Sequence, residues 1–162
     1  MRFLKDIPLG EEVVLGSYTF PEDEIVRFGA KYDRQDYHMD PERAKNSVFG
    51  GIIASGWHTT AIYMKLLVAY FQNEQKSRLE AGLGAAKFGA SPGLEDIKWP
   101  RPVHAGDTIT YHIKTTAKRP LKSRPGWGLL TLLTEAYNQN GELVLSMSGF
   151  SIMQWDQDSD CG

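Results

Sequence analysis

The sequence predicts an α+β domain in which a long apolar helix packs against an antiparallel sheet. Three observations predict it. From Gly56 to about Gln75, residues Trp57, Ala61, Ile62, Met64, Leu66, Leu67, Val68, Ala69, Tyr70 and Phe71 put apolar groups on nearly every side of a helix. Such a helix is normally buried on several sides, so a curved sheet is expected to wrap it. The second half supplies long strand-like runs, of which Thr108–Thr116 alternates Ile109, Tyr111 and Ile113 against Thr110, His112 and Lys114. The last two runs are joined by Asn138-Gln139-Asn140-Gly141, where Asn-Gly is a strong hairpin signal.

The elements follow in order. A strand is expected at Glu12–Tyr18, with Val13 and Val14 leading it. Pro21 opens a helix through about Lys31, and Glu22, Asp23 and Glu24 suit its positive end. Ile25, Phe28 and Tyr32 give that helix one apolar face. Asp33 to Met39 is polar and without helical periodicity, which predicts a loop. Asp40-Pro41-Glu42-Arg43 reads as a capped helix start, soon interrupted by Asn46-Ser47 and Gly50-Gly51. After the long helix come strands at Leu94–Trp99 (stopped by Pro100 and Pro102), Thr108–Thr116, Trp127–Tyr137 and Leu143–Met153, then a tail from about residue 155.

The 162 residues fit one domain over 1–162, and a domain of that size buries roughly 70% of its unfolded surface. A formal charge of −2 lacks the basic footprint of a nucleic-acid binder. The densest basic group, Lys118-Arg119-Pro120-Leu121-Lys122-Ser123-Arg124, reads as a solvated turn rather than a phosphate patch. One cysteine, Cys161, excludes an internal disulfide and is consistent with a reducing compartment. Met1 to Asp6 lacks the apolar run of a signal peptide. Trp57 to Phe71 is too short to span a bilayer and is interrupted by His58 and Lys65. A cytoplasmic protein without nucleic-acid or membrane partners is expected.

Chemistry points to Asp33 and His38, five apart in the polar segment. A carboxylate beside an imidazole can polarise a water, and the unperturbed imidazole titrates nearest neutrality. Gly56 opens the apolar helix, where an unpaired N–H and the positive helix end suit a developing oxyanion. A base, an acid and an oxyanion donor are the parts needed to add water to an activated double bond. Ser55 lacks a Gly-x-Ser-x-Gly context and is given no nucleophilic role. His58 is read as a buried, hydrogen-bonded structural histidine. The four histidines show no metal-ligand spacing. Trp99, Trp127, Tyr63 and Tyr70 are read as core.

These residues carry a resemblance. The run from Phe28 through Asp33, Gln35, Asp36 and His38 to Asp40 and Ala44 resembles the hydratase motif of MaoC-like dehydratases and (R)-specific enoyl-CoA hydratases. That motif reads Asp-x-Asn-Pro-x-His, followed by x-Asp and a small residue. Phe49-Gly50-Gly51-Ile52-Ile53-Ala54-Ser55-Gly56-Trp57-His58 resembles the family's glycine-led entry into its central helix, and Trp99-Pro100-Arg101-Pro102-Val103-His104-Ala105-Gly106-Asp107-Thr108 its Arg-Pro-Val-x-x-Gly-Asp lead into a strand. The resemblance implies a hotdog fold, a sheet wrapped round one helix, in at least a homodimer with acyl-CoA in a tunnel near the subunit interface. It implies Asp33 and His38 as catalytic residues and the Gly56 N–H on the thioester oxygen. Trp57 and Arg101 are expected as further substrate contacts, Arg101, after a strand and between two prolines, toward CoA phosphate. The resemblance implies reversible syn hydration of a trans-2-enoyl-CoA to a (3R)-hydroxyacyl-CoA, with no metal or redox cofactor.

Two departures stand out. Gln35 occupies the Asn position and Asp36 the Pro position, so the loop loses a fixed φ and gains a carboxylate expected to compete for the His38 proton. The altered pair keeps open a non-catalytic acyl-CoA-binding subunit. An acyl-CoA thioesterase on the same fold needs an acid on the central helix, but Tyr63 to Phe71 carries none and the next is Glu74.

Overall fold

Strict alternation of side chains decides where the core lies. In the computed structural model, which describes residues 1–157, five strands form one antiparallel sheet. They are β1 (Glu12–Thr19), β2 (Leu94–Lys98), β3 (Thr108–Pro120), β4 (Trp127–Tyr137) and β5 (Leu143–Gln154), in the spatial order β1-β3-β4-β5-β2. Ile109, Tyr111 and Ile113 of β3 turn inward, with Tyr111 opposite Ala136 of β4, and Leu130, Leu132 and Ala136 are buried beside Leu145, Met147 and Met153 of β5. The register is continuous from Trp127 opposite Gln154 to Ala136 opposite Leu145. In the β4–β5 turn the Asn138 side chain accepts from the Asn140 and Glu142 amides, the local bonding that makes Asn a turn residue.

The helices are α1 (Glu22–Tyr32), α2 (Asp36–Met39), α3 (Pro41–Lys45) and α4 (Gly56–Glu80). Asp40 caps α3 as expected, accepting from the Glu42 and Arg43 amides. Helix α2 corrects the loop expected between Asp33 and Met39. A helix of four residues is barely one turn and leaves no periodic trace in the sequence.

Helix α4 also departs from its all-round burial. His58, Thr59, Ile62, Tyr63 and Leu67 are buried, and the Tyr111 hydroxyl donates to the Thr59 carbonyl at 3.0 Å. The opposite face leaves Trp57 56%, Met64 43% and Val68 43% exposed. One sheet covers only one side of a helix, so the remaining apolar stripe is left to solvent in the single chain.

Three further expectations are refined. β3 runs on to Pro120, so Lys118, Arg119 and Pro120 of the basic group belong to a strand. Lys118 Nζ donates to the carbonyls of Leu4 and Ile7, and Arg124 stacks on Trp127 at 3.6 Å. Trp155, at the start of the expected tail, is still pinned by its amide to the Gly126 carbonyl; Cys161 lies outside the described residues. Among the described residues, no helix is long and apolar enough to cross a membrane.

Candidate active site

Asp33 ends α1, where its amide closes on the Gly29 carbonyl at 2.9 Å. Five residues on, α2 swings His38 back so that its Nε2 lies 3.3 Å from Asp33 Oδ2. The imidazole is buried, and its other nitrogen, Nδ1, lies 2.7 Å from the Ile53 carbonyl oxygen. A carbonyl can only accept, so Nδ1 carries a proton and Nε2 is the nitrogen free to exchange one. Ile53 is itself strapped in place. Its amide bonds the Tyr37 carbonyl, while the neighbouring Ala54 and Ala105 amides bond the Val103 and Ile52 carbonyls. The stretch from Pro102 to Gly106 thus holds the chain that holds the histidine.

Both oxygens of Asp33 are satisfied. Gln35 Nε2 donates to Oδ1 at 2.9 Å, and Ser55 Oγ donates to Oδ2 at 2.7 Å. Burial pushes the carboxyl pKa up, but the Gln35 and Ser55 hydrogen bonds and the His38 imidazole outweigh it and hold Asp33 below its ordinary value. Gln35 in turn accepts from the Tyr37 hydroxyl. A side-chain amide therefore serves Asp33 although Gln replaces Asn. Asp36, expected to compete for the His38 proton, instead turns its carboxylate outward onto Arg43 at 3.1 Å.

Gly56 is the first residue of α4, so its N–H has no intrahelical acceptor. Its missing side chain is needed for space: a Cβ there would sit 2.5 Å from Trp99 Cδ2. Trp99 is held over the helix start by a hydrogen bond from Nε1 to Thr60 Oγ1. Gly56, His38, Tyr37, Thr59, Trp99, Arg101 and Val103 line one cavity of about 350 Å³. His38 and the helix N-terminus thus border a common space, and Asp33 stands at the imidazole Nε2.

The remaining expected site residues divide. Arg101 is on the cavity wall, exposed, and pairs with Glu142 at 3.2 Å. Trp57 is not in the wall; it packs edge-on against Trp99, with ring centroids 5.3 Å apart. Trp99, read as core, is a cavity residue 39% exposed, just past the end of β2. Tyr63 does belong to the core. His58 is buried but not hydrogen-bonded as expected: Nδ1 has no partner, and the ring lies flat on Phe28 at 4.5 Å and edge-on to Phe20 at 5.1 Å. Aromatic contact, rather than a polar partner, fixes it. Ser55 was not legible as a site residue, since its contact with Asp33 spans 22 positions. Among the described residues no group of three His, Cys, Asp or Glu could hold a metal ion.

A second cavity, of about 290 Å³, runs along α4 between Tyr63 and Gln75 and is also lined by Phe88, Leu94, Leu132 and Phe150. Its wall is apolar apart from Gln72, Gln75, Ser91, Ser151 and the buried Tyr63.

The chain is similar to known proteins in sequence and in fold. Residues 5–126 match the MaoC like domain. The chain is 29% identical over 136 residues to the protein YdeM of Bacillus subtilis, covering 84% of this chain and 87% of that one. It is 30% identical over 102 residues to 3-hydroxyacyl-thioester dehydratase Z of Mycobacterium tuberculosis, covering 62% of this chain and 61% of the dehydratase, so it spans about three fifths of that relative. The crystal structure of the MaoC-like dehydratase from Rhodospirillum rubrum superposes with a TM-score of 0.78 at 29% identity, covering 95% of this chain and 97% of that one. With a central helix held in a five-stranded hotdog sheet and a family match across most of its length, the chain belongs to the MaoC-like dehydratase family.

Proposed function

We propose that this protein catalyses the reversible syn addition of water to a trans-2-enoyl-CoA, giving a (3R)-hydroxyacyl-CoA. The observation that carries the reading is that His38, in contact with Asp33, lines a cavity that Gly56 also lines. The thioester oxygen accepts the Gly56 N–H, which polarises the conjugated double bond. Water sits against His38 Nε2 and Asp33. As its oxygen bonds C3, its proton passes to Nε2 and the π electrons move onto the thioester oxygen. The enolate then collapses and C2 takes that proton back from Nε2. Asp33, held ionised, orients the water and stabilises the transient imidazolium. Both new bonds form on the side where the pair stands, so the addition is syn. The sum is enoyl thioester plus water, with no oxidant and no metal required. Arg101 lies at the mouth for a CoA phosphate, and the apolar cavity along α4 takes the acyl chain.

A second copy of the chain is the partner in this reading. Trp57, Ala61, Met64 and Val68 form a stripe at i, i+4, i+7 and i+11, and all four are exposed. Met64 and Val68 also border the apolar groove, so covering them turns the groove into a tunnel. No acid lies on α4 from Tyr63 to Phe71, and this disfavours a thioesterase.

Incubation with short- and medium-chain enoyl-CoAs, following enoyl absorbance and free thiol together, tests the reading. Hydration removes the enoyl signal without thiol. Thiol release would show a thioesterase, and no change with either signal would show a binding subunit.

A further inference from the structure

We infer that Ser55 is a positioning residue of the acid–base pair, locking the Asp33 carboxylate to the N-terminus of α4 so that the base and the oxyanion donor keep one geometry. The inference rests on the hydratase reading above.

Ser55 is buried, 2% exposed, and its hydroxyl makes two contacts. Oγ accepts the Trp57 amide at 3.3 Å, which makes Ser55 the N-cap of α4. It donates to Asp33 Oδ2 at 2.7 Å. The directions are fixed, because an amide N–H cannot accept and an ionised carboxylate cannot donate. Capping needs only the lone pair. Asp at this position would cap as well, but it would set a second negative charge against Oδ2, and Gly would supply neither bond. A hydroxyl is required only if the proton has a task, and its task is Asp33.

The choice of oxygen matters. Oδ2 is the atom 3.3 Å from His38 Nε2, while Oδ1 is held by the exposed Gln35. Rotation about the Asp33 carboxyl would exchange them, and the buried Ser55 bond opposes that rotation. Ser55 is also covalently joined to Gly56, so carboxylate and oxyanion amide are linked through one residue. The backbone beneath is pinned by the Ala54 amide on the Val103 carbonyl at 2.8 Å.

The test is the pH dependence of kcat/KM for hydration by wild type and Ser55→Gly, with carboxyl ¹³C NMR titration of Asp33 alongside. Gly is tolerated at N-caps almost as well as Ser, so helix capping is little changed. Loss of one donor raises the Asp33 pKa. The acid limb and the NMR midpoint should therefore move up together by roughly half to one pH unit, with kcat/KM at neutral pH down about tenfold. A purely structural Ser55 would lower the melting temperature and leave both midpoints where they were; that result overturns the proposal. If Ser55→Gly fails to fold, Ser55→Cys, near in size with a weaker donor, carries the same test and should shift both midpoints in the same direction. Hydration by wild type with unmoved midpoints in the variant refutes the role of Ser55 alone, whereas absence of hydration by wild type refutes the reading beneath it.

Discussion

Gly29 lies directly against His38: a Cβ on Gly29 would sit 2.7 Å from the His38 carbonyl oxygen and 2.8 Å from its Cβ. Helix α1 can therefore bring Asp33 to the imidazole only because position 29 has no side chain. Gly29→Ala is expected to push α2 away from α1, destabilising the protein by about 1–3 kcal/mol. It should also lower kcat/KM by roughly tenfold to a hundredfold, since a displacement near 1 Å at a reacting group can cost that much. Thermal melts and hydration kinetics on the one variant check both.

Gly56 is under a different constraint. An added methyl would meet the Trp99 indole, not backbone, so Gly56→Ala should force the ring into the cavity and raise KM while destabilising by about 1–3 kcal/mol. Trimming the obstacle should reverse this. The double variant Gly56→Ala/Trp99→Val should recover most of the melting temperature lost by the single change.

Burial lowers the pKa of His58 below its ordinary 6.5, and only the Glu24 carboxylate pulls it up. The unfolded chain then binds the proton first. Stability from neutral His58 is fully present above about pH 6.5 and falls as pH drops from there toward the folded value. Phe at position 58 keeps the stack on Phe28 and has nothing to titrate. The melting temperature of wild type relative to His58→Phe should fall on acidification from about pH 7.5 to 5.

Asp36, a departure from the family motif, is paired with Arg43. Its ion pair with Arg43 is solvent-exposed, and such pairs contribute about 0–1 kcal/mol. Asp36→Ala should leave kcat/KM within roughly threefold of wild type and the melting temperature nearly unchanged. A large loss of activity would mean that Asp36 acts on His38 after all.

What could be read from the chain follows from how local each signal is. β4 appears at Trp127–Tyr137, the bounds its alternation predicts, because a period of two is written within a single strand. Asp33 and His38 were legible because both lie in one short segment. Their supports were not. The Ile53 carbonyl reaches His38 across 15 positions, Ser55 reaches Asp33 across 22, and Trp99 covers Gly56 only after β2 has joined the far edge of the sheet. Helix α4 misled for another reason: apolar residues on every side indicate burial but not whether the same chain or a second copy supplies the cover.

The measurement closest to the central claim is steady-state hydration of a trans-2-enoyl-CoA by wild type, Asp33→Asn and His38→Ala, with folding checked by circular dichroism. If one imidazole and one carboxylate handle the proton, each variant should keep its fold and lose roughly a hundredfold to ten-thousandfold in kcat. Hydration within a few-fold of wild type in either variant would contradict the assignment.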